Sequence, residues 1–310
     1  MSTPFGTNPL QHSERKKTIL LDALPAPHKL YARALPGLFK RWKRSAPHGA
    51  QGAALPALRL VRSAVPLDAG MLERYARVCG FIPEHGIPLT FPHLLAFPLH
   101  LLLLTDPAFP WSALGLVHLA NRVHLRQPLA RGDVLRIEAE FGAQLRHPKG
   151  QAFVLHARAY RRGEAVWDGD SLYLKRGVRG YGEAAGPLDI DSAALARTAR
   201  WQLPAQLGRD YAKASGDYNP IHLSALSAQV FGFPRAIAHG MWTLGRAAAA
   251  LQPARPLAAA SFAAEFKTPM LLPGEATLWT AAHEANGCEL EVRDAGGVTP
   301  HLRGRFQWSV

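Results

Sequence analysis

The chain contains two copies of one sequence pattern, and this internal repeat constrains the fold more than any other feature. Residues 72–81 (LERYARVCGF) align with residues 208–217 (GRDYAKASGD) at an offset of 136 residues. Residues 123–128 (VHLRQP) align with residues 264–269 (AEFKTP) at an offset of 141, and a Gly-acid pair follows each copy. The similar offsets indicate one structural unit used twice. A chain of 310 residues is long enough for both copies.

The repeat predicts how the chain is divided. Two copies of one domain are expected over residues 55–176 and 192–310. Residues 177–191, rich in Gly and containing Pro187, have the composition of a linker. Residues 1–54 remain as a basic N-terminal extension.

Within each copy the hydrophobic pattern predicts the same elements in the same order. A short polar helix and a turn-rich loop come first, followed by an apolar helix over 94–104 in one copy and 241–251 in the other. Alternating apolar and polar residues then predict strands at 134–141, 153–160, 274–282 and 289–293. One buried helix with an antiparallel sheet, twice, is an α+β architecture.

The charge is positive and concentrated near the N-terminus. Lys and Arg number 36 against 23 Asp and Glu, a net charge of +13. Residues 1–44 hold nine basic and two acidic residues, so they contribute +7. We expect this extension to contact an anionic surface, or to be a solvated tail, and to take no part in chemistry. No aromatic-basic motif indicates a nucleic-acid partner.

Cysteine content and hydropathy predict a cytoplasmic protein. Cys79 and Cys288 are too few for a disulfide framework and are not spaced as zinc ligands. The first residues lack the pattern of a secretory signal. The longest apolar run, residues 94–104, has eleven residues and is too short to span a bilayer.

The second copy carries a polar constellation that the first copy lacks. Residues 211–222 (YAKASGDYNPIH) place Asp217, Asn219 and His222 within six residues. Gly216 and Pro220 favour a turn there, so the carboxylate and the imidazole can converge on one point. The same residues are also common in ordinary turns that have no catalytic role. In that alternative, which stays open, His222 is a capped residue on the surface.

A second candidate feature lies just ahead of the apolar helix of the second copy. Gly240 follows His239 there and permits close approach to the backbone. The first amides of a helix are unsatisfied donors with a partial positive charge, as an oxyanion hole requires. A plain helix start is the alternative.

Other chemistries have less support. Asp217, His222 and His239 are all metal-ligand types, but the sequence offers no closely spaced ligand pair such as His-x-x-x-His here, so no metal is expected. The sequence has no Gly-x-Ser-x-Gly motif either, so it offers no candidate nucleophile for serine hydrolase chemistry of that type.

Residues 211–222 together with 238–240 (AHG) resemble the hydratase 2 motif of the MaoC-like acyl dehydratases, in order and in separation. Residues 87–92 and 109–124 are similar to the degenerate first repeat of the mycobacterial-type 3-hydroxyacyl-thioester dehydratases. The resemblance covers residues 55–310. It implies a double hot-dog fold, in which each repeat wraps an antiparallel sheet around a central helix.

The resemblance also implies a reaction, the reversible hydration of trans-2-enoyl thioesters to (3R)-hydroxyacyl thioesters in fatty acid metabolism. Asp217 and His222 would be the catalytic pair, Asn219 their orienting neighbour and the Gly240 amide the oxyanion donor. The substrate would be an acyl-CoA or an acyl carrier protein thioester, with no cofactor, and a homodimer is compatible. The alternative is a hot-dog protein that binds acyl thioesters without hydrating them or hydrolyses them.

The first copy has Phe81 at the position of Asp217, and no Asn-Pro-x-His follows it. We therefore expect one catalytic copy and one degenerate copy. The lost polar site is expected to become a tunnel for the acyl chain, although ordinary core packing explains the same residues. The candidate substrate-binding residues are Phe81, Leu94, Phe97, Arg235 and His239, and Leu95 would also line the tunnel.

Overall fold

The computed structural model describes Phe5 and residues 16–25, 30–31, 53–282 and 286–310. The elements of the first half are β1 (Lys17–Leu20), β2 (Leu58–Pro66), α1 (Ala69–Cys79), α2 (Phe91–Leu104), β3 (Val117–Leu125), β4 (Val134–His147), β5 (Gly150–Arg161) and β6 (Glu164–Arg176). Those that follow are β7 (Glu183–Ala184), β8 (Ala196–Leu203), α3 (Leu207–Ser215), α4 (Ala225–Gln229), α5 (Gly240–Leu251), β9 (Ala259–Phe266), β10 (Gly274–Ala282), β11 (Gly287–Asp294) and β12 (Pro300–Ser309). Short 3₁₀ turns lie at Pro83–His85 and Pro220–His222.

All the strands belong to one sheet, and its order reproduces the sequence repeat. The order is β1-β2-β4-β5-β6-β3-β9-β12-β11-β10-β8, with β7 beside β4. The run β2-β4-β5-β6-β3 of the first half is matched by β8-β10-β11-β12-β9 in the second. The two runs join where β3 pairs antiparallel with β9, from Ala120 opposite Glu265 to Leu125 opposite Ala260. The exact domain boundaries stay predictions.

The aligned segments form matching helices with the same ending. Gly80 closes α1 and Gly216 closes α3, with φ of 80° and 78°. These values lie in the left-handed region that glycine adopts without steric cost, and each glycine amide donates back into the last helical turn. The two helices pack against each other, with the rings of Tyr75 and Tyr211 6.2 Å apart.

The two apolar helices, α2 and α5, are the centres of the two halves. Leu99 and Leu103 of α2 are fully buried, as are Leu244 and Ala247 of α5. One apolar core is continuous across both halves. An apolar helix wrapped by an antiparallel sheet, twice in one chain, is a double hot-dog fold. No helix within the described ranges is long and apolar enough to cross a membrane.

Parts of the N-terminal extension pack onto this body. β1 pairs parallel with β2, from Lys17 opposite Leu58 to Leu20 opposite Val61. Phe5 is 1% exposed, and the Arg122 guanidinium lies over its ring at 4.8 Å. Most of the basic stretch for which we expected an anionic contact lies outside the described residues.

Candidate active site

The loop after α3 brings the predicted polar residues together by local turn chemistry. Asn219 caps the 3₁₀ turn, because its Oδ1 accepts from the Ile221 amide at 3.5 Å. The Asn219 amide in turn donates to Asp217 Oδ1 at 3.2 Å. Asn219 therefore orders the short path between Asp217 and His222; its role beside a catalytic pair stays a prediction.

Helix α3 supports this loop through direct backbone contact. A Cβ added at Gly208 would lie 1.9 Å from the carbonyl oxygen of His222. Only a residue without a side chain allows the helix to approach so closely. Gly208 thus fixes the backbone position of His222.

His222 is held in one tautomer. Its Nδ1 lies 2.8 Å from the carbonyl oxygen of Ile237, so Nδ1–H donates there and Nε2 keeps its lone pair. The ring is buried, and burial lowers the pKa of His222 although the charge of Asp217 opposes the shift. The imidazole is therefore neutral at neutral pH, with Nε2 free to accept a proton.

Asp217 is ionised in the same setting. Burial alone would raise its pKa, but attraction to His239 and His222 and the hydrogen bonds to its carboxylate hold the pKa below the ordinary value. The site therefore combines a carboxylate with a neutral imidazole. Such a pair can take up and return a proton.

His239 lies at the junction of the loop and α5. Its ring stacks on that of His222, with centroids 3.6 Å apart. Its Nε2 lies 3.0 Å from the backbone carbonyl of Asp217, to which Nε2–H donates. Burial lowers the pKa of His239 to about 3, so its imidazole is neutral at neutral pH. Its hydrogen bond connects the start of α5 to the loop that carries Asp217.

Gly240 is the first residue of α5, so its amide has no partner within the helix. A Cβ at this position would lie 3.0 Å from the ring of Phe266 on β9. A side chain at this position would therefore crowd the Phe266 ring, whereas the role of Gly240 as an oxyanion donor stays a prediction. An unpaired amide at a helix N-terminus can stabilise an oxyanion.

Asp217, His222 and His239 offer ligand atoms within 4.8 Å of one another, which raises the question of a metal. A metal lies in the plane of each imidazole that binds it, at about 2.0–2.1 Å for zinc. The stacked rings of His222 and His239 are inclined by only 26°, so their lone pairs lie in nearly parallel planes and cannot converge on one ion. The arrangement suits proton transfer better than metal binding.

The first half lacks this chemistry at the equivalent place. Phe81, aligned with Asp217, stacks on Tyr75 with ring centroids 5.8 Å apart. The Tyr75 hydroxyl donates to Thr90 at 2.7 Å. An apolar contact thus replaces the carboxylate in the first copy.

The other candidate substrate-binding residues are scattered. Leu94 and Leu95 are buried in the core, whereas Phe97 is partly exposed beside His93, with ring centroids 6.3 Å apart. Arg235 is exposed and donates to the Pro273 carbonyl at 3.2 Å. A tunnel along these residues stays a prediction.

Sequence reasoning missed a residue of the site. The hydroxyl of Tyr31, in the N-terminal extension, donates a hydrogen bond to Asp217 Oδ1. The sequence predicted no part for the extension in the chemistry, and the structure places Tyr31 of the extension in contact with the candidate site. Two histidines near Asp217 were also missed, His93, which is buried, and His118, which is half-buried. Desolvation lowers the pKa of His93 to about 4 and that of His118 to about 3.

The fold and this site define a double hot-dog protein with a carboxylate-imidazole centre in its second repeat. Residues 193–284 match the MaoC like domain family. The chain is 31% identical to 3-hydroxyacyl-thioester dehydratase X of Mycobacterium tuberculosis over 255 residues, covering 80% of this chain and 88% of that protein. The chain therefore belongs to the MaoC-like dehydratase family.

A crystal structure of that mycobacterial dehydratase, a plant relative and a further solved structure extend the comparison. The crystal structure of HtdX from Mycobacterium tuberculosis superposes with a TM-score of 0.70 at 27% identity, covering 81% of this chain and all of that one. A peroxisomal enoyl-CoA hydratase 2 of Arabidopsis thaliana is 26% identical over 162 residues, 47% of this chain and 52% of its own. A MaoC-like dehydratase from Phytophthora capsici shares the fold, with a TM-score of 0.67 at 17% identity over 81% of this chain and 95% of that one.

Proposed function

We propose that the protein is a hydro-lyase that hydrates trans-2-enoyl thioesters reversibly to (3R)-hydroxyacyl thioesters in fatty acid metabolism. The observation that carries the proposal is the meeting of Asp217 and His222, whose side chains have oxygen and nitrogen atoms within 4.8 Å of each other. The first amide of α5 follows directly after His239, which belongs to the same cluster. The lowered pKa values of the carboxyl and of the imidazole are consistent with a carboxylate beside a neutral base. Family membership supports the reaction class, since the relatives are named as a 3-hydroxyacyl-thioester dehydratase and an enoyl-CoA hydratase.

In the proposed hydration, the pair Asp217 and His222 takes a proton from water as the water oxygen bonds to C3. The electrons of the C2–C3 double bond move toward C2 and the thioester oxygen. The Gly240 amide donates a hydrogen bond to the charge that develops on this oxygen. C2 then receives a proton from the pair, which returns to its starting state. Dehydration is the reverse, and the thioester itself acidifies C2.

The carrier of the acyl group is proposed to be CoA or acyl carrier protein, both of which are anionic. A cavity of about 700 Å³ lies beside α1, α3 and α5. Its lining includes one carboxylate, Asp210, two tryptophans, Trp201 and Trp242, and five cations, Arg74, Arg77, Arg200, Lys213 and Arg246. A cationic cleft raises the local concentration of an anionic ligand. The cavity thus supports an anionic carrier of the acyl group. We further propose that the protein is cytoplasmic and forms a homodimer.

The test is hydration of crotonyl-, octenoyl- and longer enoyl-thioesters, each on CoA and on carrier protein. We expect Asp217→Asn and His222→Ala each to lower the hydration rate by about 10²–10⁴-fold, the range for a positioned acid or base. Asp189→Asn is a matched control, because Asp189 is exposed and lies outside both the proposed catalytic site and the lining of the cavity.

Two outcomes would contradict the proposal. Near wild-type turnover in a folded Asp217→Asn or His222→Ala variant would remove the catalytic pair. Release of free thiol without hydration would assign the protein to thioester hydrolysis. Melting temperatures of all variants report whether the fold is kept.

A further inference from the structure

Tyr31 reaches the candidate active site from outside both repeats. It lies in the N-terminal extension, 186 residues before Asp217, and donates its hydroxyl hydrogen bond to Oδ1 of that carboxylate. The preceding residue, Leu30, is 1% exposed, so this part of the extension is anchored in the protein interior. Residues 193–284, which match the family, do not include it.

The contact divides the two oxygens of the Asp217 carboxylate between different partners. Oδ1 accepts from the Tyr31 hydroxyl and from the Asn219 amide at 3.2 Å. Oδ2 lies 4.0 Å from Nε2 of His239, on the side of the imidazoles. The phenol therefore fixes one oxygen and leaves the other available for water and substrate.

The Tyr31 hydroxyl keeps its proton beside Asp217 and therefore acts as a hydrogen-bond donor. Burial raises the pKa of its hydroxyl far above the ordinary value, and the neighbouring carboxylate raises it further, so the phenol stays protonated. Among the side chains that the structure describes, it alone hydrogen-bonds the Asp217 carboxylate. The other titratable groups that interact with Asp217 are His93, His118, Tyr173, Tyr211, His222 and His239.

We propose that Tyr31 is a positioning residue of the catalytic site, which orients the Asp217 carboxylate and stabilises its ionised form. The N-terminal extension thereby adds a hydrogen-bond donor to a centre whose carboxylate and imidazoles lie in the second repeat. This inference rests on the proposed function, in which Asp217 exchanges protons with water and substrate. A hydrogen bond from a neutral donor to an ionised carboxylate is among the stronger ones in proteins.

The test compares Tyr31→Phe with Tyr181→Phe. Each substitution removes one tyrosine hydroxyl. Tyr181 lies in the linker, and its hydroxyl donates to the Ala53 carbonyl at 2.8 Å rather than to a residue of the site. We expect Tyr31→Phe to lower kcat for enoyl-thioester hydration by about 10–100-fold with little change in KM, since the bond acts through a catalytic carboxylate. Tyr181→Phe should leave both constants unchanged.

Two further readouts separate positioning from a merely structural role. Tyr31→Phe should cause no further loss in an Asp217→Asn background, because the two residues act as a unit. In protein labelled with ¹³C at aspartate carboxyls, Tyr31→Phe should raise the titration midpoint of Asp217, and Tyr181→Phe should not. This midpoint needs no substrate, so it tests Tyr31 even if the wild-type protein hydrates none of the thioesters.

Three results would overturn the inference. Unchanged kcat in Tyr31→Phe would mean that the hydrogen bond is dispensable. Faster turnover in Tyr31→Phe would mean that the Tyr31 side chain blocks the site and that substrate must displace it. An unmoved Asp217 midpoint, or full additivity with Asp217→Asn, would reduce Tyr31 to a packing residue.

Discussion

At the scale of single residues, the site depends on which protons are already placed before any substrate binds. The Ile237 carbonyl takes the Nδ1 proton of His222, and the Asp217 carbonyl takes the Nε2 proton of His239. Two adjacent imidazoles are thus fixed in opposite tautomers by backbone carbonyls. Only the first presents Nε2 as a base.

The same arrangement predicts a pH profile. Hydration requires ionised Asp217 and neutral His222, whose pKa values lie below 3.8 and below 6.5. The ionised form of Asp217 and the neutral form of His222 disappear only when the pH falls through these lowered pKa values. We expect kcat/KM to stay level from neutrality to below pH 6.5 and then to decline. A decline centred at or above the ordinary histidine value would contradict the assigned charge states.

The residues that could be predicted from sequence are those joined by short chain segments. Asp217, Asn219 and His222 share one turn, and turn chemistry is local, so the motif was sufficient to predict that they meet, while their catalytic roles stay predictions. Tyr31 could not be found in this way. Its contact spans 186 residues and begins in a segment with no counterpart in the repeat. Only the tertiary path of the chain brings its hydroxyl to Asp217.

At the scale of elements, the sequence pattern located both apolar helices and four of the strands, three of which are longer in the structure than predicted. Alternation predicted a strand over 134–141, whereas β4 continues to His147. The register of β4 against β5 shifts between Phe141 and Gln144. A bulge of this kind changes which face successive side chains occupy, so the alternation ends although the strand does not. In contrast, β10 occupies the predicted residues 274–282.

Two glycines at the second position of their helices provide a prediction for the elements. Gly208→Ala would drive a Cβ into the His222 carbonyl, whereas a Cβ at Gly70 in α1 would meet only the ends of the Arg74 and Asp68 side chains. Alanine favours a helix by about 1 kcal/mol over glycine. We expect Gly70→Ala to be neutral or stabilising and Gly208→Ala to lower activity at least ~10-fold, with a lower melting temperature. Equal effects on activity would show that α3 does not position His222.

At the scale of the whole molecule, the junction of β3 and β9 makes the two halves one structure. Val123 on β3 stands opposite Phe262 on β9, and both are 0% exposed. We expect Val123→Ala to cost about 1–3 kcal/mol and to weaken both halves together. Hydrogen exchange of peptides from β5 and β11 would measure this. Val298→Ala, at a site 80% exposed, is the control, and loss of protection in one half alone would contradict a shared core.

The same junction has a consequence for how the chain is made. One edge of β3 lacks its partner until residues 260–265 have left the ribosome, about 135 residues after Leu125. At ~5–20 residues per second this interval is on the order of ten seconds. An unpaired strand edge is a template for association with other chains. We expect nascent chains released after residue 250 to aggregate, and sedimentation of such truncated products against the full chain would show it. Soluble, monomeric products would mean that the first half protects its edge without the second.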